Sequence, residues 1–186
     1  MPPELLARAA KIKLLLMDVD GVLTDGRLYF FPDAAGNMVE SKAFDSQDGI
    51  ALRWCQWKNI RTGVISGRNS PATVARAKQL DMTYVYQGHI EKIPIIEEIM
   101  HDAGIAAEEI AYVGDDFTDI VVFHRTGLSV AVANARPEVK AAAHFVTQAS
   151  GGSGAIRETV ELILRARGDW ESILAHYEVS GQPRRD

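Results

Sequence analysis

Four short stretches of this chain carry side chains able to do chemistry: Asp18-Val19-Asp20-Gly21, Ser66-Gly67-Arg68, Lys92, and Gly114-Asp115-Asp116-Phe117-Thr118-Asp119. The first is the most informative, because the apolar run Leu14-Leu15-Leu16-Met17 delivers two carboxylates, spaced i and i+2, into a glycine turn. On an extended backbone that spacing puts Asp18 and Asp20 on one side. Carboxylates that close repel and shift each other's pKa, so they call for a cation, a shared proton or solvent. A hard divalent ion bound through oxygen is the simplest resolution. A bare Asp-x-Asp is equally how a strand ends in an acidic surface turn, Ser66 alone can serve a turn, and Lys92 alone can be a solvated helix residue. The acids of the fourth stretch would also suit a helix N-terminus with no ligand present.

The elements that position these stretches are legible in the pattern. Apolar, β-branched runs predict strands over 12–18, 60–66, 83–86, 110–113 and 128–132, with a short one at 144–146. They alternate with helical periodicity over 49–58, 71–80, 92–103, 117–125 and 155–167. Ser70-Pro71 reads as a helix N-cap followed by proline, and Gly104 and Gly127 as helix stops. This βα alternation predicts an α/β fold, a Rossmann-like parallel sheet with helices on both faces. One segment departs from it: 27–31 and 38–44 are β-rich and joined by Pro32-Asp33-Ala34-Ala35-Gly36-Asn37, a hairpin inserted after the acidic turn over about 27–44. The four chemical stretches then fall at carboxyl ends of strands, where open parallel sheets bind ligands.

Composition bounds the rest. The 186 residues, 47% apolar and 24% charged, suit a single soluble domain over 1–186, with a polar tail over about 179–186. Ser150-Gly151-Gly152-Ser153-Gly154 resembles a flexible linker, but too little chain follows it for a separate domain. A net charge of −5 without a Lys/Arg block argues against nucleic acid as a partner. No run reaches the about 18 to 20 apolar residues that span a bilayer, and no signal-type segment opens the chain, so no membrane partner and a cytoplasmic location are expected. The lone Cys55 reads as a packed thiol. The five histidines lack metal-site spacing.

Taken jointly, the order and placement of the four stretches resemble the haloacid-dehalogenase-type phosphatases, with Asp18-Val19-Asp20-Gly21-Val22-Leu23-Thr24 as first motif, Ser66 as second, Lys92 as third and Gly114-Asp115-Asp116 through Asp119 as fourth. The resemblance implies that Asp18 is a nucleophile forming an aspartyl-phosphate and Asp20 a general acid and base. It further implies Mg²⁺ held by Asp18, the Asp20 backbone carbonyl and Asp115, with Ser66 and Lys92 on the phosphoryl oxygens and Asp116 and Asp119 in support. The hairpin leaves no room for a large cap domain. Capless relatives close their sites by assembly, so the resemblance implies a homotetramer in which hairpin and tail complete neighbouring sites.

Within the capless group the chain is most similar to the 3-deoxy-D-manno-octulosonate 8-phosphate (KDO 8-phosphate) phosphatases. The similarity rests on Phe44-Asp45-Ser46-Gln47-Asp48-Gly49, Tyr86-Gln87-Gly88, Ala111-Tyr112-Val113-Gly114-Asp115-Asp116, Gly127-Leu128-Ser129-Val130-Ala131-Val132 and Gly151-Gly152-Ser153-Gly154-Ala155-Ile156-Arg157-Glu158. It implies a 2-keto-3-deoxy sugar acid phosphate as substrate, bound by Asp20, Asp45, Ser46, Gln47, Asp48, Gly49, Arg53, Gly67, Arg68, Arg76 and Lys92, the arginines suiting a carboxylate. The chain departs from the family where Asp45-Ser46-Gln47-Asp48-Gly49 stands in place of Asn-Val-Arg-Asp-Gly, losing a cation and gaining an acid, and where His89-Ile90-Glu91 precedes Lys92. A nine-carbon sugar acid 9-phosphate is therefore the nearest alternative substrate. A non-catalytic binding module of the same fold is the alternative of a different class.

Overall fold

A computed structural model of the chain describes residues 1–179. The expected tail over about 179–186 lies, from Ser180 onward, outside the described residues. In chain order the elements are α1 (Pro3–Ala9), β1 (Leu14–Met17), β2 (Tyr29–Pro32), β3 (Met38–Ser41), α2 (Ser46–Trp57), β4 (Arg61–Ser66), α3 (Pro71–Gln79), β5 (Tyr84–Gln87), α4 (Ile93–Ala103), β6 (Ile110–Gly114), α5 (Phe117–Phe123), β7 (Leu128–Ala131), α6 (Pro137–Ala142), β8 (Phe145–Val146), α7 (Ala155–Ala166) and α8 (Trp170–His176).

Six strands form one parallel sheet in the order β5-β4-β1-β6-β7-β8. Every residue of β1, β6 and β7 is buried, as expected of strands covered by helices on both faces, and this is why they read as unbroken apolar runs rather than alternating ones. The order decides where a ligand can sit. From β1 the chain runs outward to β4 and β5, then returns to the other side of β1 as β6, so β1 and β6 flank a topological switch point. The carboxyl ends of β4, β1 and β6 therefore set Ser66, Asp18 and Asp115 side by side.

The insertion after β1 is a two-stranded antiparallel hairpin, Tyr29 pairing with Ser41 and Pro32 with Met38. Its turn is tied by Asp33, whose carboxylate accepts from the backbone of Ala35 and Asn37. Between Ser66 and Lys92 stand only α3 and β5, and no large cap occupies either insertion point among the described residues.

The strand and helix expectations hold to within about three residues at their ends, as fraying allows. Three short helices, α1, α6 and α8, of seven, six and seven residues, were not expected from periodicity. Helices of that length are marginal alone and are held by packing, so their own pattern is weak. Gly104 is a left-handed C-cap at φ 62°, as expected. Ser70 stands at the N-cap of α3, but its hydroxyl makes no cap bond and its N–H donates instead to Gln87 Oε1 at 2.8 Å. The Ser150 to Gly154 run is not a linker: it packs under the acidic turn, as the site shows.

Candidate active site

The turn after β1 is built on one carbonyl. Val19 O accepts from the N–H groups of Leu23 and Thr24 at 2.9 and 3.1 Å, and the Thr24 hydroxyl accepts from the N–H of Gly26 at 3.2 Å, which folds the chain back beneath Asp20. Gly21 takes φ 90°, and a Cβ there would collide with Asp115 Oδ2, so glycine is what lets the loops after β1 and β6 meet. A second brace comes from below. Asn134 donates to Gly21 O at 3.0 Å and accepts from Gly151 N at 2.7 Å, while Gly152 N donates to Val22 O at 3.0 Å. A Cβ on Gly151 would strike the Gly21 carbonyl.

On this platform Asp18, Asp20, Ser66, Gly67, Arg68, Lys92, Asp115 and Asp116 line one cleft of about 270 Å³, together with Ile90 and Thr118. Lys92 is 1% exposed, not the solvated lysine its type would suggest. Its Nζ lies 3.0 Å from Asp18 Oδ2 and 2.7 Å from Asp119 Oδ1, and it donates to the Tyr112 hydroxyl at 2.9 Å. Burial pushes its ammonium down, but the facing carboxylates of Asp18 and Asp119 outweigh that and hold it above the ordinary lysine value. Asp119 does not line the cleft. Its Oδ2 accepts from the N–H groups of Asp115 and Asp116 at 2.8 and 3.1 Å, so it fixes both the lysine and the start of α5.

Crowding and burial raise the acids. Burial pushes Asp18 up to about 6 against the pull of Lys92, and burial with Asp119 and Asp18 nearby pushes Asp115 up to about 7. Oxygens of Asp18, Asp115 and Asp119 lie within 4.8 Å of one another, and Asp115 Oδ1 is buried without a hydrogen-bond partner among the described residues. An all-oxygen, anionic set with an unpartnered acceptor fits a hard divalent cation. Because Asp119 already takes Lys92, Tyr112 and two backbone donors, Asp18 and Asp115 are the acids with capacity to spare.

The remaining expected contacts divide. Arg68 reaches the cleft, 44% exposed, bound to Glu40 and 3.8 Å from Asp20 Oδ2. Asp45, Ser46, Gln47, Asp48, Gly49, Arg53 and Arg76 do not line it. Asp45 caps α2 through Gln47 N and Asp48 N, Arg76 covers Gly49 and donates to Asp45 O at 2.9 Å, and Arg53 donates to Gln79 O at 3.1 Å. Asp48 gives way to a structural use: it is buried and accepts from Arg157 N at 2.7 Å and Gly154 N at 3.4 Å, capping α7. Lys42, Glu40 and Tyr112, which motif reading passes over, join the site. Lys42 binds Asp20 Oδ1, and burial's upward push on Glu40 is outweighed by Arg68 and Lys42, which hold it below the ordinary carboxylate range.

Comparison with known proteins finds relatives over most of the chain. Residues 58–157 fit the haloacid dehalogenase-like hydrolase model. The chain is 40% identical over 165 residues to the 3-deoxy-D-manno-octulosonate 8-phosphate phosphatase KdsC of Escherichia coli, covering 89% of this chain and 86% of the relative. This chain belongs to the haloacid dehalogenase-like hydrolase family. Within it the chain is a phosphatase. Among solved structures of the family, it superposes with a TM-score of 0.90 and 40% identity on a probable YrbI family phosphatase of Pseudomonas syringae, covering 97% of this chain and 100% of that one. A KDO 8-phosphate phosphatase from Moraxella catarrhalis, solved with magnesium, phosphate and KDO, gives a TM-score of 0.89 at 33% identity over 95% of this chain and 99% of that one.

Proposed function

We propose that this phosphatase hydrolyses KDO 8-phosphate to KDO and phosphate with Mg²⁺ through an aspartyl-phosphate. The observation that carries the chemistry is the Lys92 ammonium 3.0 Å from Asp18 Oδ2 in a cleft shared with Asp20, Ser66 and Asp115. Support for the substrate comes from relatives named for it at 40% identity over nearly the whole chain.

Asp18 is the nucleophile. Lys92 orients its carboxylate and, with the Ser66 hydroxyl, meets the charge gathering on the phosphoryl oxygens in the transition state. Asp20 gives a proton to the leaving alkoxide and takes one from the water that cleaves the acyl-phosphate. Asp18, the Asp20 backbone carbonyl and Asp115 would hold Mg²⁺. Bound there, the ion supplies positive charge that offsets repulsion between the acids and an anionic phosphate. Arg68 is the cation in the cleft suited to the sugar carboxylate. Asp45, Ser46, Gln47, Gly49, Arg53 and Arg76 would contribute to the sugar end, in a cytoplasmic homotetramer whose hairpin completes a neighbouring site. Exposed Phe30, Phe31, Met38 and Val39 on the hairpin support that assembly.

The test is phosphate release from KDO 8-phosphate, nine-carbon sugar acid 9-phosphates and simple hexose phosphates, with Asp18→Asn as control. The expected result is a preference for KDO 8-phosphate that vanishes in the variant. Preference for a nine-carbon ester or for hexose phosphates by orders of magnitude would overturn the substrate. Equal inactivity of wild type and variant on every ester would make the chain a binding module.

A further inference from the structure

The hairpin meets two residues of the cleft, Asp20 and Arg68, through the charged side chains of Lys42 and Glu40. Lys42 is the first residue after β3, and its side chain is 2% exposed. Its Nζ binds Asp20 Oδ1 and lies 3.3 Å from Glu40 Oε1. Glu40 in turn binds Arg68, whose Nε lies 3.8 Å from Asp20 Oδ2. Two cations and two anions thus close a ring that ties the insertion to the loops after β1 and β4. Lysine is seldom this buried unless its ammonium is paired, and here both of its partners are carboxylates.

The ring makes the two oxygens of Asp20 unlike. Oδ1 is held by Lys42, whereas Oδ2 is buried and has no hydrogen-bond partner among the described residues, although Asp20 lines the cleft. Glu40 beside the ammonium offsets its charge at Asp20, so what Lys42 adds is orientation.

We propose that Lys42 is a positioning residue for proton transfer: by holding Oδ1 it fixes Oδ2 of Asp20 as the oxygen that exchanges the proton with the leaving group and then with water. The proposal deepens the phosphatase reading and rests on it. In the first step the bond from an Asp18 oxygen to phosphorus forms, the ester P–O bond breaks with its electron pair passing to the sugar oxygen, and the Oδ2 proton moves to that oxygen. In the second, a water oxygen bonds phosphorus, the Asp18 oxygen leaves with its pair, and the water proton returns to Oδ2.

The discriminating measurement is rapid-quench formation of the phospho-enzyme in Mg²⁺ buffer from two esters: KDO 8-phosphate, whose alkoxide needs a proton, and p-nitrophenyl phosphate, whose phenolate does not. Lys42→Met is expected to slow the first by about 100-fold and the second by less than about threefold, because general-acid assistance matters only for the poor leaving group. In an Asp20→Asn background the added Lys42→Met change is expected to cost less than about twofold with either ester, since residues acting through one another are not additive. Equal losses with both esters, or a further large loss beyond Asp20→Asn, would overturn the proposal and leave Lys42 a structural residue. Should Lys42→Met alone fail to fold, the comparison of Asp20→Asn with the double variant carries the test, because asparagine then faces methionine and Asp20 leaves no unpaired charge. A wild type that forms no phospho-enzyme from either ester would overturn the phosphatase reading itself, an outcome distinct from the others.

Discussion

Tyr112 donates its hydroxyl to Asp119 Oδ1 at 2.9 Å, the same carboxylate oxygen that takes Lys92 Nζ at 2.7 Å. The tyrosine is fully buried, and burial with Asp119 and Asp18 close by raises its phenol well above the ordinary value, so it stays a neutral donor. It therefore stiffens the lysine from behind while Asp18 meets the lysine from the cleft. Tyr112→Phe keeps the volume and removes one donor. Expected are a loss of about 1 kcal/mol in stability, as for one buried hydrogen bond, and a kcat about tenfold lower, measured by denaturant melts and phosphate release. An unchanged kcat would show that Asp119 alone positions Lys92.

Removing either end of the Asp18 to Lys92 contact stops turnover, but the two variants should part in stability. Asp18→Asn leaves Lys92 paired with Asp119 and relieves a carboxylate that burial already raises, so its melting temperature should match or exceed that of the wild type. Lys92→Met leaves Asp18, Asp119 and Asp115 facing one another without their shared cation. Breaking a buried pair in this way costs about 3 to 5 kcal/mol. A Lys92→Met variant as stable as Asp18→Asn would refute the electrostatic account of the cluster.

The raised acids make the effect of a divalent cation depend on pH. Asp18 and Asp48 are pushed up to about 6 and Asp115 to about 7, all above their ordinary value. A folded pKa above the unfolded one means that the folded chain binds protons more tightly, so these groups favour folding fully below the ordinary value of 3.8, and the benefit is lost as pH rises from there through the folded values of about 6 and about 7. The lowered acids Asp25, Asp33, Glu40 and Glu109 work in the opposite sense, but above pH 5 their contribution is already complete and does not change. His144, lowered by burial, gains with pH and cancels when samples with and without cation are compared at one pH. Mg²⁺ competes with protons at Asp18 and Asp115, so its stabilisation should be small near about pH 5 and grow by about pH 7.5 toward the roughly 2.7 kcal/mol expected at 100-fold excess over Kd. Thermal melts with Mg²⁺ or chelator at the two pH values decide it. An equal shift at both would place the cation elsewhere.

Asp18, Asp20, Ser66, Lys92 and Asp115 were legible in the sequence for a physical reason. Asp18, Asp20, Ser66 and Asp115 close apolar runs short enough to be strands, Lys92 opens the helix after β5, and parallel topology brings such ends together wherever the strands sit in the order. Tyr112, Lys42 and Glu40 were not, because their roles depend on which strands are neighbours and on how the hairpin lies, and no local spacing encodes either. Gly151 was illegible for another reason: a glycine-serine run has the composition of a linker, yet its lack of side chains is what admits the Gly21 carbonyl. Composition reports freedom of the chain and says nothing of what packs against it.

Asp48 tests how far neighbourhood in sequence stands in for neighbourhood in space. It lies in the Phe44 to Gly49 stretch that reads as a sugar-contacting surface, but α2 turns it inward, where its two oxygens accept from Arg157 N and Gly154 N at the start of α7. Burial pushes it up to about 6, with Asp45 adding to the rise and those backbone donors opposing it. The cap holds α7 against α2, and α7 follows directly on the Gly151 brace beneath the acidic turn. Asp48→Ala is therefore expected to cost about 1 to 2 kcal/mol, the range for losing a helix cap. Because the side chain never reaches the cleft, KM for the sugar acid phosphate should move by less than about twofold in the folded enzyme, far below the about tenfold change that losing a charged contact worth 1.4 kcal/mol would bring. Melting curves and Michaelis analysis on the same preparation separate the two. A large rise in KM with unchanged stability would return Asp48 to the substrate.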